Sequence, residues 1–280
     1  MMDQIELFST VLYVDECLLD IERTEAFGKA IEKAVKKGDV VLDAGTGSGI
    51  LALMAARAGA KKVYAVEVDR ESALLAQKSF VSNPEGDHIA IVLQDIREFM
   101  LDKPVDVLIM ELLDTGLIAE SQAPALNALR RNGVIDSHTR LIPEGVNCAL
   151  ELIDYDYSFY GFTMPLVMQA RNSGVDQRIK KSLSEKQVYR EVDFKKLINT
   201  HLDEKIAVSA TEKGSVNAIR ISTKTLLYQN LSIWETSDMN MPVIIPIEPI
   251  NVKEGDQIEI AIQYEMAQGF DHFAVEAVKK

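Results

Sequence analysis

Cysteine and histidine are scarce in this sequence of 280 residues, which contains two of the former and four of the latter. The cysteines, Cys17 and Cys148, lie far apart and in apolar surroundings, so we expect reduced, buried thiols rather than a disulfide framework. No pair of cysteines or histidines has the spacing of zinc ligands, which argues against a structural zinc site. We therefore predict no bound metal.

Long hydrophobic runs and an excess of basic residues are also missing. No uninterrupted apolar stretch is long enough to span a bilayer, and the N-terminus has an early acid without the apolar segment of a secretory signal. We therefore expect a cytoplasmic protein without membrane contact. Lysine and arginine number 30 against 43 aspartates and glutamates, which gives a net charge of -13. Such an acidic surface repels nucleic-acid backbones and favours a basic partner.

The composition is otherwise typical of a globular protein, and the length suits one large domain or two modest ones. Helical spacing of apolar residues predicts helices over residues 3–14 and 24–36. Strands and helices then alternate, which predicts a parallel sheet with helices on both faces. The predicted strands cover residues 40–44, 63–66, 89–93 and 105–110, and the predicted helices cover residues 50–58, 71–82 and 122–132.

The pattern changes near residue 141. Short, alternating, β-branched runs separated by Gly, Pro or Asp turns follow, and they predict an antiparallel, barrel-like second part of the chain. These runs cover residues 147–153, 205–209, 218–222, 243–247 and 257–264. We predict that a polar segment from about residue 164 to residue 190 is a partly helical insert between these strands.

The stretch from Val40 to Gly49 combines a strand, an acid near its end and three glycines at alternate positions before a helix. Glycine lacks a Cβ, so the backbone turns sharply and lets a ligand approach the N–H groups at the start of the helix. The spacing differs from the G-x-G-x-x-G dinucleotide fingerprint. It reads D-x-G-x-G-x-G and resembles the Rossmann-like methyltransferases that use S-adenosyl-L-methionine; the alternative is a glycine-rich turn in another α/β domain. The resemblance implies S-adenosyl-L-methionine as cofactor, S-adenosyl-L-homocysteine as product, and cofactor contacts from Gly45 and Gly47.

Three strand ends deliver an acid to the edge where ligands of open α/β sheets bind. Glu67 ends the second predicted strand, where a carboxylate accepts hydrogen bonds from both ribose hydroxyls. Asp95 and the adjacent Ile96 follow the third strand, where the adenine would lie. Asp43 ends the first strand and would hold the amino group of the cofactor, directly or through water. The alternative for each acid is an ordinary surface position.

The fourth predicted strand ends in Glu111, and Glu120 follows nine residues later. The Asn/Asp-Pro-Pro-aromatic motif of enzymes that methylate exocyclic base nitrogens does not occur here. The segment instead resembles the double-glutamate loop of protein arginine methyltransferases, and residues 111–118 are most similar to the type that monomethylates arginine. In that family the two glutamates embrace the substrate guanidinium, so the resemblance implies that Glu111 and Glu120 are catalytic.

Paired carboxylates suit this chemistry because a guanidinium, with a pKa of about 12.5–13.8, stays protonated and its nitrogens are poor nucleophiles. Two carboxylates hold one nitrogen in line with the methyl donor and draw positive charge away from that nitrogen. The alternative reading is a strand-end acid followed by an acid at a helix N-terminus.

The resemblance extends over nearly the whole chain. Arg23 matches the segment that contacts the cofactor carboxylate in the family, and a guanidinium is a natural bidentate partner for that group. Residues 159–164 resemble the entry to the family's dimerisation arm and residues 191–193 its exit, which implies a shortened arm over residues 165–187 and a homodimer. One departure leaves the substrate open: residues 237–241 stand where the family usually carries a Thr-His-Trp loop, and they include neither histidine nor an aromatic residue.

The sequence thus predicts an α/β chain in which a Rossmann-like methyltransferase sheet is followed by an antiparallel β-barrel-like domain. We expect residues 1–38 to form helices that cover the cofactor site, residues 39–142 to bind S-adenosyl-L-methionine, and residues 143–280 to form the substrate domain.

Three functional hypotheses remain open. The leading one is methyl transfer to a guanidino or related cationic nitrogen, on a basic protein or peptide or on a small cationic molecule. The second is a methyltransferase for RNA or another small molecule on the same scaffold, although the acidic net charge disfavours nucleic acid. The third is a non-catalytic protein that binds S-adenosyl-L-methionine.

Overall fold

The computed structural model describes residues 11–169 and 175–280. The first described helix, α1, covers Val11–Leu19 and so extends five residues past the predicted end at residue 14, while residues 3–10 of that prediction lie outside the described residues. The second helix, α2, covers Ile21–Ala34 and begins after Asp20, whose carboxylate accepts a hydrogen bond from the Arg23 backbone N–H at 3.0 Å. This N-cap explains why α2 starts three residues before the predicted residue 24.

The middle of the chain forms a five-stranded parallel sheet in the order β3-β2-β1-β4-β5, which confirms the predicted α/β architecture. Its strands are β1 (Val40–Ala44), β2 (Lys62–Glu67), β3 (Ile89–Leu93), β4 (Val107–Met110) and β5 (Arg140–Ile142). Its helices are α3 (Ile50–Arg57), α4 (Arg70–Val81) and α5 (Gln122–Arg131). Every predicted helix and strand between residues 40 and 132 occurs, with bounds that differ by two residues at most.

The central strand β1 pairs with β2 on one side and with β4 on the other, so the strand order reverses beside it. Ligands of such sheets bind beyond the carboxyl ends of the strands at this switch point. The side chains of Val41 and Leu42 are fully buried because helices cover both faces of the strand. The sheet therefore places the glycine-rich turn after β1 and the loop after β4 next to each other.

The second half of the chain is antiparallel and curls into a half-barrel, as the sequence predicted. The strands of this half are β6 (Gly145–Tyr155), β7 (Ser158–Phe159), β8 (Phe162–Thr163), β9 (Ile179–Ser182), β10 (Gln187–Asp193), β11 (His201–Ser209), β12 (Gly214–Tyr228), β13 (Leu231–Ile233), β14 (Val243–Val252), β15 (Gln257–Glu265) and β16 (Ala274–Lys279). The long strand β12 is the centre of the half-barrel, because it pairs with β6 along one edge and with β13 and β14 along the other. A separate three-stranded sheet has the order β11-β15-β16.

The segment from residue 164 to residue 190 differs from the partly helical insert that we expected. Within its described residues only a short 3-10 turn, Asp176–Arg178, is helical, while β9 and β10 pair with β6 and extend the half-barrel. The polar composition misleads because β10 buries only two of its seven side chains, Tyr189 and Val192, and leaves the other five exposed or half-buried.

One hydrophobic core runs through both halves of the chain. Leu117 and Ile118, in the loop after β4, are fully buried in this core. The loop is therefore enclosed between the parallel sheet and the half-barrel rather than exposed at the surface. In the described part of the chain, no helix is long and apolar enough to cross a membrane.

Candidate active site

A cavity of about 380 Å³ lies at the carboxyl edge of the parallel sheet. Helix α1 and α2 contribute walls on one side, and the half-barrel contributes Asp238, Ala267 and Gln268 on the other. Eight of the nine residues that the sequence singled out line this cavity: Arg23, Gly45, Gly47, Glu67, Asp95, Ile96, Glu111 and Glu120.

Asp43 is the ninth, and it does not line the cavity. Its side chain lies beneath the glycine turn, where one carboxylate oxygen accepts a hydrogen bond from the Thr46 hydroxyl at 2.6 Å. Burial raises the pKa of Asp43 to about 6, although the bond from Thr46 opposes that rise. The residue supports the turn from below, whereas the sequence analysis expected it to hold the amino group of the cofactor directly or through water.

The turn after β1 needs glycine at alternate positions because its backbone is left-handed there. The φ angles of Gly45, Gly47 and Gly49 are 75°, 51° and 82°. A Cβ on Gly45 would lie 2.6 Å from Cδ2 of Leu112, which belongs to the loop after β4. The glycine therefore allows the turn after β1 and the loop after β4 to come into direct contact.

Glu67 forms the next part of the wall, at the end of β2. One of its carboxylate oxygens accepts the Gly47 N–H at 2.9 Å, and the other accepts the N–H groups of Val68 and Asp69 at 2.8 and 3.0 Å. Burial raises the pKa of Glu67, while these three N–H donors act against that rise. Glu67 thus fixes the glycine turn and presents a carboxylate to the cavity.

Asp95 ends the wall beyond β3 and is held by its own neighbour. The Arg97 guanidinium lies 2.6 Å from one Asp95 oxygen, and the Arg97 backbone N–H donates to the other at 2.8 Å. The side-chain bond from Arg97 lowers the pKa of Asp95. Ile96 is buried beside it and adds an apolar surface to the cavity.

Arg23 and Glu111 form an ion pair inside the cavity wall, although the sequence assigned them to different ligands. The Arg23 Nε donates to Glu111 Oε2 at 2.9 Å, one terminal nitrogen contacts the same oxygen, and the other donates to the Cys17 carbonyl at 3.2 Å. Burial disfavours the charged guanidinium, but the carboxylate of Glu111 outweighs it and raises the pKa of Arg23. The structure therefore brings together the arginine that was expected to bind the cofactor and the first of the two glutamates that were expected to be catalytic.

Glu120 completes the predicted pair at the other end of the loop after β4. Burial, followed by the negative charges of Glu111 and Asp114, raises the pKa of Glu120 well above its ordinary value. Both glutamates line the cavity above Gly45 and Gly47. The two carboxylates and the glycine turn thus face one shared space.

Two side chains that the sequence analysis did not single out hold the loop of residues 111–120 in shape. The Asp114 carboxylate accepts the backbone N–H groups of Ala119 and Glu120 at 2.8 and 3.1 Å. Burial raises the pKa of Asp114 to about 7. The fully buried Gln122 accepts the Leu112 N–H at 2.9 Å and donates to the Met110 carbonyl at 3.1 Å. The sequence signal for Asp114 is an aspartate ahead of Thr-Gly, a typical loop-capping position.

The half-barrel clamps the same loop from above. The Tyr264 hydroxyl donates to the Gly116 carbonyl at 2.6 Å, and the Gly116 N–H donates to the Thr223 hydroxyl at 2.8 Å. The Thr115 hydroxyl donates to the Met241 carbonyl at 2.5 Å. These bonds position the acidic loop by contacts from the strands of the second half.

The segment of residues 236–241 connects to the other side of the cavity. The Thr236 hydroxyl and the Asp238 N–H, the latter at 3.1 Å, both donate to the second carboxylate oxygen of Asp20, the N-cap of α2. Asp238 itself lines the cavity. None of the four histidines lines the cavity among the described residues, and His272, near the C-terminus, is exposed in a short 3-10 turn.

Comparison with known proteins places this geometry among methyltransferases. The family model for ribosomal protein L11 methyltransferase (PrmA) matches residues 22–136. The uncharacterized protein MJ1452 of Methanocaldococcus jannaschii is 32% identical over 255 residues, which are 91% of each chain. The arginine N(omega)-methyltransferase of Streptomyces achromogenes is 26% identical over 269 residues, 88% of this chain and 74% of that protein. Protein arginine N-methyltransferase PRMT10 of rice is 31% identical over 187 residues, 58% of this chain and 49% of that protein.

The chain is a protein arginine methyltransferase-like enzyme that depends on S-adenosyl-L-methionine. It belongs to the same family as the uncharacterized protein MJ1452, with which it aligns over 91% of each chain. Two solved structures share the fold: a Trypanosoma brucei PRMT1 enzyme-prozyme complex with AdoHcy, at a TM-score of 0.76 and 19% identity, and Arabidopsis thaliana PRMT10, at 0.77 and 20%. Each alignment covers 99% of this chain, and 99% and 98% of the respective solved chains.

The cavity of this methyltransferase fits its cofactor. The left-handed glycine turn, the buried guanidinium of Arg23 and the buried carboxylate of Glu67 line the same cavity. These groups complement the carboxylate and the hydroxyls of S-adenosyl-L-methionine, which yields S-adenosyl-L-homocysteine as product. No cluster of three potential metal ligands occurs within the described residues.

Proposed function

We propose that this methyltransferase transfers a methyl group to a nitrogen of a guanidino group that Glu111 and Glu120 hold. The observation that carries the proposal is that both carboxylates line the cavity above the glycine turn, where the methyl donor would lie. A fork of two carboxylates matches the planar set of N–H donors of a guanidinium. The printed name of the Streptomyces relative, an arginine N(omega)-methyltransferase, supports the same acceptor group.

We assign the cofactor contacts to the remaining cavity residues. Arg23 would bind the cofactor carboxylate, Glu67 the ribose hydroxyls, and Asp95 with Ile96 the adenine. Gly45 and Gly47 would allow close approach of the backbone. Asp43 would not contact the cofactor and would instead accept the hydrogen bond from Thr46 that maintains the shape of the turn.

The chemistry that the cofactor supplies is a methyl group on a positively charged sulfur, which leaves as a neutral thioether. The nitrogen that attacks the methyl group loses one N–H proton in the reaction. Glu111 and Glu120 would orient that nitrogen and draw the positive charge to the other nitrogens. Burial and the neighbouring carboxylates of Glu111 and Asp114 raise the pKa of Glu120, which strengthens its carboxylate as an acceptor for that proton.

The charge of the chain supports a cationic acceptor, either a basic protein or peptide or a small guanidino compound. The net charge of -13 attracts such molecules and disfavours RNA. An RNA acceptor remains the alternative, because residues 237–241 depart from the family's Thr-His-Trp loop. We place the enzyme in the cytoplasm, in keeping with its two free cysteine thiols.

We further propose a homodimer and the domain division at residues 38 and 142. The hairpin of β7 and β8 supports a dimer, because Tyr160 is 99% exposed and Phe162 is 70% exposed there. Of the expected arm over residues 165–187, residues 179–187 belong to β9, β10 and the turn between them, so a dimer contact would use the hairpin and the residues just after it.

The test is methyl transfer from labelled S-adenosyl-L-methionine to two probes, free L-arginine and a blocked peptide with one arginine. We expect the wild type to label at least one probe, and Glu111→Gln and Glu120→Gln each to lose most turnover while cofactor affinity stays within a few-fold. Glu276→Gln, an exposed glutamate on β16, is the matched control and should keep full activity. Full activity in both site variants, or label in RNA alone from a cell lysate, would contradict the proposal.

A further inference from the structure

Asp238 is the one charged residue that the half-barrel contributes to the cavity wall among the described residues, since Ala267 and Gln268 are neutral. It lies at a turn that closes through two bonds, from the Thr236 N–H to the Met239 carbonyl at 3.0 Å and from the Met239 N–H to the Thr236 hydroxyl at 3.2 Å. The bond from the Asp238 N–H to Asp20 ties this turn to the start of α2. The backbone under the Asp238 side chain is thus fixed on both sides.

Within the described residues, only one of the two carboxylate oxygens of Asp238 accepts a hydrogen bond. Its Oδ2 accepts a hydrogen bond from the Ser237 hydroxyl at 2.8 Å. Its Oδ1 is buried and has no hydrogen-bond partner in the parts of the chain that the structure describes. A buried carboxylate oxygen without a donor is costly, and such an atom in a cavity wall indicates a donor that a ligand supplies.

Asp238 converges on the same space as the two glutamates. The Cys17 thiol, which also lines the cavity, has its pKa raised to about 12 by burial and by the negative charges of Glu111, Glu120 and Asp238. Glu111, Glu120 and Asp238 therefore line one cavity together with Cys17. Arg23 pairs with Glu111, whereas neither Glu120 nor Asp238 has an ion-pair partner among the residues described.

We propose that Asp238 is a specificity-determining residue, which accepts a hydrogen bond from a cationic N–H group of the methyl acceptor as a third carboxylate beside Glu111 and Glu120. This inference rests on the proposed guanidino function and extends it. The donor is either the guanidinium itself or a second cationic group of the same acceptor, such as an amine. An acceptor that lacks a positive charge leaves Glu120 and Asp238 without a cationic partner, and the site rejects it.

The experiment measures KM and kcat for L-arginine and for the blocked arginine peptide in the wild type, Asp238→Asn and Asp238→Glu. We expect Asp238→Asn to lower kcat/KM for the acceptor at least tenfold, mainly through KM, which corresponds to ~1.4 kcal/mol. Cofactor affinity and melting temperature should stay close to the wild type, and Asp238→Glu should recover part of the loss. Asp203→Asn, on an exposed position of β11, is the control for net charge.

The outcomes separate the two proposals. A loss that is equal for both probes assigns the contact to the guanidinium, and a loss confined to L-arginine assigns it to the free amine. Unchanged acceptor KM in Asp238→Asn, with Glu111→Gln and Glu120→Gln inactive, overturns the role of Asp238 alone. A wild type that methylates neither probe overturns the guanidino function and this inference with it.

Discussion

Replacing Asp114 by Asn tests whether the acidic loop positions Glu120. The Asp114 carboxylate binds two backbone N–H groups, of Ala119 and Glu120, at 2.8 and 3.1 Å. Asparagine keeps one acceptor oxygen and turns an NH2 donor toward the other N–H group. One hydrogen bond is therefore lost and one buried N–H is left without an acceptor, which costs about 1–3 kcal/mol.

This free energy opposes the loop conformation in which Glu120 faces the cavity, so we expect kcat to fall roughly 5- to 150-fold, at about tenfold per 1.4 kcal/mol. Cofactor affinity should stay within a few-fold, because the glycine turn keeps its bonds to Val66 and Glu67. The assay is steady-state methyl transfer together with calorimetric titration of the cofactor.

Asp136→Asn controls for the loss of a loop-capping charge away from the cavity, because Asp136 Oδ1 alone accepts the N–H groups of His138 and Thr139, at 2.8 and 3.2 Å, and asparagine retains that oxygen. If Asp114→Asn loses no more activity than Asp136→Asn, well below both melting temperatures, the positioning argument is wrong. The pH dependence gives a second readout. The pKa of Asp114 is about 7, and its protonated form cannot accept both N–H groups, so wild-type kcat should rise with pH through about 7 and rise less steeply in Asp114→Asn.

Three further predictions follow from single positions. Gly45→Ala should weaken cofactor binding and lower the free energy of unfolding by about 1–3 kcal/mol, because the φ of Gly45 is 75° and the new Cβ would collide with Leu112. Gly38→Ala is the control for the backbone strain alone, because Gly38 has a φ of 97° and open space around it. Equal losses of stability in the two variants would contradict the collision with Leu112. The pKa of Asp43 is about 6 in the folded protein, against an ordinary value of 3.8. Between these two values the folded protein binds the proton of Asp43 more tightly than the unfolded chain does. The free energy of unfolding should therefore fall by up to ~3 kcal/mol as the pH rises from about 4 to 6. Denaturant titrations across that range should show a flatter pH profile in Asp43→Asn, whereas an unchanged profile would refute the assignment. Phe162→Asp should convert a dimer to a monomer in light scattering without loss of melting temperature, and a monomeric wild type would remove the basis for the dimer.

The parallel half of the fold was predictable because its signals are local. Strands such as Val40–Ala44 are short β-branched runs followed by a glycine turn, and both periodicity and turn chemistry indicate the same structure. For the second half of the chain, the sequence predicted the class of structure, an antiparallel barrel-like sheet, but not how all of its strands pair. Strand β10 looks polar because it is covered on one face, and its pairing with β6 depends on contacts across about 40 residues of sequence.

The residues of the candidate site, too, were predictable only in part. Residues at strand ends, such as Glu67 and Glu111, could be placed from the sequence because the carboxyl edge of a parallel sheet is a predictable location. Asp114 and Asp238 were missed, because their roles depend on a folded loop and on a turn from the other half of the chain. The ion pair between Arg23 and Glu111 was missed too, since 88 residues separate its members.

The buried Asp20 has a consequence for any attempt to take this protein apart. One of its carboxylate oxygens caps the helix that carries Arg23, and the other receives donors from Thr236 and Asp238, more than 200 residues away. A chimera that takes the leading helices and the parallel sheet from one relative and the half-barrel from another would separate Asp20 from its donors. The buried carboxylate of Asp20 would then lose the hydrogen bonds that Thr236 and Asp238 supply. Chimeras should therefore transplant the leading helices and the strand-rich half together, as one unit.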